Sequence, residues 1–235
     1  MIALAAGLAW VASAAAMCNP NRLAQPVSAS AGIRKTPTSG SGICFDGTLA
    51  SIPTYQPFLD YNYLGASGAL VELYDPSSSD FGAMGYQWDT QHENTFWMET
   101  GRDDTEDFFG ASNPGVSHTY KVDWINYNFH FFLDGTIHLT YYDPYYNGCS
   151  ILQGASLNQQ RFQMIGGYYN PEYFTASQER HADNGQWYYT DPPNTFVQGN
   201  TNYYAASVES SSSFATWDKA CASQGSPGWR DGGLL

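Results

Sequence analysis

Positive charge is scarce in this sequence. Nine Lys and Arg stand against 22 Asp and Glu, a formal net charge of −13. Such a chain has no basic face with which to neutralise phosphates, which excludes nucleic acid as a partner. Anionic membrane surfaces repel it for the same reason. Cysteine is limited to four residues, Cys18, Cys44, Cys149 and Cys221, with no Cys-x-x-Cys among them. The five His (His92, His118, His130, His138, His181) show no His-x-x-x-His spacing, so the ligand pattern of a structural zinc site is missing. There is no Gly-x-Gly-x-x-Gly, no phosphate loop and no Gly-x-Ser-x-Gly elbow. No stretch of about 12 residues keeps a 3.6 period, and no fixed-period repeat marks a propeller or solenoid.

What remains is aromatic and turn-forming. Hydrophobic residues make up 43% and aromatics 16%, with 18 Tyr and 23 Gly in 235 residues. That suffices for a buried core in one domain, and it is poor helix material. Residues 2–16, IALAAGLAWVASAAA, form an apolar stretch ending in small residues. It is shorter than the ~20 residues a bilayer span needs, and it reads as a signal peptide cut near Ala16. The reading is therefore a secreted, extracellular chain. An even Cys count in an exported chain predicts two disulfides. Four Cys allow three pairings; Cys18–Cys44 with Cys149–Cys221 is the favoured one, stapling both ends.

Residues 17–43 are rich in Ser, Ala, Gly and Pro and read as a flexible N-terminal arm. Strand-like runs follow: 69–75, 81–89, 94–101, 118–126, 129–135, 136–142, 161–169, 187–189 and 203–210. Gly, Pro, Asn and Asp clusters separate them, and residues 211–235 read as a solvated tail. Short strands between such clusters predict a single all-β antiparallel sandwich over 44–210.

Alternation sorts the side chains by face. Tyr120, Val122 and Trp124 share one face and are expected in the core; Phe129, Phe131 and Leu133 share a face, with His130 and Phe132 opposite. If Val71, Leu73, Phe96 and Met98 face between the sheets, Glu72, Tyr74, Trp97 and Glu99 face outward together. Aromatic rings beside carboxylates suit a sugar: the ring stacks on its C–H face and the carboxylates accept from its hydroxyls. The candidate catalytic carboxylates are Glu99, Glu72 and Glu209. The candidate substrate-binding aromatics are Trp97, Tyr74, Trp88 and Tyr168. Asp103, Asp104, Glu106 and Asp107 concentrate hard oxygen ligands that suit a structural Ca²⁺, although the EF-hand spacing is absent. No other cofactor is required. The expected partner is a polysaccharide or polypeptide substrate, and the expected state is a monomer.

The stretch HTYKVDWINYNFHFFLDGTIHL (118–139) resembles the strand–hairpin–strand of concanavalin A-like lectin and glucanase domains. That resemblance implies a concanavalin A-like jelly roll that binds or cleaves polysaccharide. Family-16 glycoside hydrolases carry Glu-x-Asp-x-Glu on one strand face; here the matching face holds Thr95, Trp97 and Glu99, with one carboxylate. Trp97-Met98-Glu99-Thr100-Gly101, followed by the aromatic hairpin 129–142, also resembles neprosin-type glutamic peptidases. That likeness implies an endopeptidase with Glu99 as first catalytic Glu. The family's second Glu follows a Gly-Gly pair, where this chain has Gly166-Gly167-Tyr168. Neither full catalytic set is present, which leaves an inert surface or interaction module as the third reading.

Overall fold

The computed structural model describes residues 28–219, apart from 38–43, 58, 60–63, 79, 90–92, 102–104, 112, 159–162, 168–169, 191–193, 200 and 202. The expected signal peptide, Cys18, Cys221, Asp103, Asp104 and Tyr168 lie outside the described residues.

Fifteen strands form two antiparallel sheets packed as a sandwich. The seven-stranded sheet runs β13 (Asn194–Gln198), β1 (Ala29–Lys35), β10 (Ser150–Leu157), β3 (Ala66–Tyr74), β4 (Phe81–Asp89), β5 (Glu93–Thr100), β6 (Thr105–Phe109). The eight-stranded sheet runs β14 (Tyr204–Ser210), β15 (Ser213–Asp218), β11 (Glu172–His181), β2 (Phe45–Pro53), β7 (Ser117–Ile125), β8 (Asn128–Leu133), β9 (Thr136–Tyr142), with β12 (Trp187–Tyr189) beside β11.

The core lies between the sheets and follows the alternation of the strands. Val71, Leu73, Phe96, Met98, Tyr120, Val122, Phe129, Phe131 and Leu133 all belong to it, and Trp124 packs against it. A polar clamp crosses this interior. Gln153 of β10 donates to the Thr48 hydroxyl (2.9 Å) and the Leu49 carbonyl (3.0 Å), and its own oxygen accepts from Ser177 (2.7 Å). Gln153→Leu strips these buried partners of their hydrogen bonds. It is expected to lower stability by about 2–3 kcal/mol in urea unfolding.

Several expectations need correction. The arm expected at 17–43 contains β1, which is paired on both sides, and the tail expected from 211 contains β15. Of the strand expected at 161–169, the described residues 163–167 show only bridges at Gly167. Strands β1 and β10 were hidden by their composition, ASAGIRK and SILQGASL. Gly32 lies opposite Gly154, and a Cβ on Gly32 would sit 2.1 Å from the Gln153 carbonyl oxygen. Backbones this close admit no side chain, so the strand signal is absent where the packing is tightest.

The favoured disulfide pairing is also overturned. Cys44 bonds Cys149, with Cα atoms 4.5 Å apart. Cys44 precedes β2 and Cys149 precedes β10, so the bond ties the two sheets together at one end. The Phe45 N–H donates to the Cys149 carbonyl at the same place.

Candidate active site

The outward face of the seven-stranded sheet carries the candidate residues Glu72, Tyr74, Trp97 and Glu99. Register alignment places residues of successive strands in rows. One row reads Asn194, Arg34, Leu152, Glu72, Ala83, Glu99, Glu106. The next reads Phe196, Gly32, Gly154, Leu70, Gly85, Trp97, Phe108. A third reads Gln198, Ser30, Ser156, Gly68, Gln87, Thr95.

The middle row is a floor. Three of its seven residues are glycine, and a Cβ on Gly85 would lie 1.9 Å from the Ala69 carbonyl oxygen. Trp97 closes one end, packed with Leu70, Ala83, Phe81 and Phe108. Its indole N–H is buried with no hydrogen-bond partner, as is the Thr95 hydroxyl on the same face. A groove of about 420 Å³ opens along the Gly68 row and reaches Trp97, Glu99 and Glu106.

Glu72 and Glu99 flank Ala83 in the same row. Two strand spacings put their backbones about 9.6 Å apart, with the buried Ala83 methyl between them. Both are partly buried. Burial first, and the charge of Glu99 second, push the Glu72 carboxyl up from 4.5 to about 8. Glu72 is therefore a carboxylic acid at neutral pH beside a second carboxyl group, the arrangement that separates an acid from a base.

Of the other expected site residues, Tyr74 lies on this face, two positions beyond Glu72 on β3. Glu106 also lies on it, opposite Glu99. Trp88 is on the other face of β4 and packs against the main core, because it is one residue out of phase with Gln87. Glu209 is exposed on β14, at the edge of the other sheet. Glu106 and Asp107 are successive residues of β6 and project to opposite faces. Among the described residues no three His, Cys, Asp or Glu come together as a metal site. Arg34, the glycine floor and the polar row on β1, β10 and β13 escaped the sequence reading, because their strands did.

A second carboxyl, Glu172, is buried between the sheets, and burial raises it well above 4.5. Both raised carboxyls hold protons in the folded state that the unfolded chain releases near pH 4.5. Their contribution to stability is complete below that pH and is lost as pH rises through the folded values. For Glu72 the window runs from about 4.5 to about 8. The melting temperature is expected to peak below pH 7 and to fall steadily toward pH 8; calorimetry across pH 4–8 measures it.

No family model and no curated protein sequence matches the chain. Solved structures do. Scytalido-glutamic peptidase, bound to a transition state analog inhibitor, aligns with TM-score 0.60 and 13% identity, over 81% of this chain and 98% of that one. SCP-B, a member of the Eqolisin family of peptidases in complex with the tripeptide Ala-Ile-His, aligns with TM-score 0.58 and 12% identity, over 82% and 98%. A prokaryotic β-1,3-1,4-glucanase (lichenase) derived from a mouse hindgut metagenome aligns with TM-score 0.34 and 10% identity, over 55% and 65%. The sandwich fold is shared with the two peptidases over nearly their whole length.

Proposed function

We propose that the chain is a secreted hydrolase of peptide bonds, with Glu72 and Glu99 as its catalytic pair. The observation that carries this is the pair itself, two carboxyl groups flanking Ala83, Glu99 lining the groove and Glu72 protonated at neutral pH. The shared fold with glutamic peptidases raises the prior without fixing the chemistry.

The groups present suffice for hydrolysis by a water molecule. The Glu99 carboxylate takes a proton from the water, whose oxygen forms a bond to the carbonyl carbon. The Glu72 carboxylic acid gives its proton to the amide nitrogen as the C–N bond breaks. An amine and a carboxylic acid leave, and the proton on Glu99 returns to Glu72 through solvent. Activity then requires a protonated Glu72, so it declines as pH rises through about 8.

The polysaccharide reading rested on Trp97 and Tyr74 as stacking surfaces. Trp97 is 7% exposed and is packed among Leu70, Ala83 and Phe108, which leaves no ring face for a pyranose. The test offers both polymers. Purified protein is incubated between pH 3 and 9 with a denatured protein and, separately, with soluble glucans. New peptide termini without new reducing ends support the proposal. Reducing ends alone overturn it in favour of a glycosidase, and no product overturns it in favour of an inert module.

A further inference from the structure

Cations are few, and most are spoken for. Among the described residues Lys35 pairs with Glu179, Lys121 with Asp123 and Arg180 with Asp46. Lys219 is exposed and donates to the Thr201 carbonyl. Arg34 differs from these: it stands exposed on the outward face of the seven-stranded sheet, with the Phe196 ring and the Tyr74 phenol near its guanidinium. Its guanidinium carbon lies 5.7 Å from the centre of the Phe196 ring. It also sits close enough to Tyr74 that its charge opposes the upward push of burial on that phenol.

Its position relative to the carboxyl pair is set by register. Arg34 is opposite Leu152, and Leu152 is opposite Glu72, so one row holds all three. Ala83, midway between Glu72 and Glu99, is three strands from Arg34. At about 4.8 Å per strand that is ~14 Å, the length of about four extended residues. The glycine row runs alongside, from Trp97 past Gly85, Leu70, Gly154 and Gly32 to Phe196, with Gly85, Leu70, Gly154 and Gly32 buried beneath the flanking side chains. An extended chain laid on it crosses the strands, and its residue near Phe196 meets Arg34.

We propose that Arg34, with Tyr74 and Phe196, forms a subsite for a carboxylate of the substrate, an acidic side chain or a free chain end, three to four residues from the bond that is cut. The inference rests on the peptidase reading for its setting. Its physical basis is local: a guanidinium is a planar donor matched to a carboxylate, and among the described residues no ion pair ties it to one. The Phe196 ring limits its solvation, and the Tyr74 hydroxyl accepts from one of its N–H groups, which leaves the others for a ligand. The far end of the row carries Glu99 and Glu106, so an acidic group is disfavoured there and favoured at this end.

The experiment has two arms. In the first, wild type and Arg34→Gln digest a peptide library near pH 6, and cleavage sites are read by mass spectrometry. Wild type is expected to enrich Asp and Glu at a single position three to four residues from the cut. In Arg34→Gln the kcat/KM for an acidic peptide falls about tenfold, to that of its Asn or Gln twin, through KM and not kcat. Enrichment that is absent in wild type, or equal in the variant, overturns the subsite. In the second arm, Glu99→Gln protein is titrated calorimetrically with one acidic peptide and its amide twin. Tighter binding of the acidic peptide, abolished by adding Arg34→Gln, supports the subsite even where no peptide is cleaved. Equal affinity for the twins overturns it. Absence of cleavage alone counts against the peptidase reading, and the second arm then decides the Arg34 claim separately.

Discussion

Glu99→Gln and Glu72→Gln are each expected to lower peptide hydrolysis by about 10²–10⁴-fold with the fold intact. The two substitutions remove different things. Gln at position 99 cannot accept the proton of the attacking water. Gln at position 72 cannot donate one to the leaving nitrogen. The double variant should be little worse than either single variant, because acid and base act as a unit. A second readout separates chemistry from folding. Glu72→Gln removes a group whose ionisation opposes folding above pH 4.5, so this variant should lose less melting temperature than wild type between pH 5 and 8. A variant that is both inactive and less stable at pH 8 would indicate a structural defect instead.

Loss of the Cys44–Cys149 bond is expected to be the most damaging single change to stability. The bond closes a loop of 105 residues and joins β2 of one sheet to β10 of the other. Loop-closure entropy for such a loop is worth about 4.7 kcal/mol. Cys44→Ala with Cys149→Ala should therefore cost about 3–5 kcal/mol, a large part of the margin a domain has. Urea unfolding of the double variant, compared with oxidised wild type, measures it. A shift below 1 kcal/mol would mean that packing alone holds the sheets in register. The groove depends on this tie, because Cys149 leads into β10, which carries Leu152, Gly154 and Ser156 of the three rows.

The sandwich was legible where strands alternate large apolar with polar residues. β3, β4, β5, β7 and β8 announce themselves in this way, and the face that joins Glu72, Tyr74, Trp97 and Glu99 followed from period two alone. β1, β10 and β15 stayed hidden for two physical reasons. β1 and β10 press glycine against glycine, which removes the side chains that periodicity reads. β15, SFATWD, is short and follows a serine run that looks like tail. Register was beyond reach as well. Nothing local says that Ala83 separates Glu72 from Glu99, or that Arg34 shares their row, because strand pairing is a property of the whole sheet. The disulfide was missed on the same ground. Cys44 and Cys149 are distant in sequence, and only the meeting of β2 and β10 at one end of the sandwich brings them together.

The central proposal is that Glu72 and Glu99 form one coupled acid–base pair, with Glu99 lining the groove. Carbon-13 NMR titration of the glutamate carboxyls tests it without reference to any substrate. Wild type should show a Glu72 carboxyl that stays protonated past neutrality, with an apparent pKa of about 8, and Glu99→Gln should lower that value by removing the neighbouring charge. A Glu72 carboxyl that ionises near 4.5 and does not respond to Glu99→Gln would contradict it.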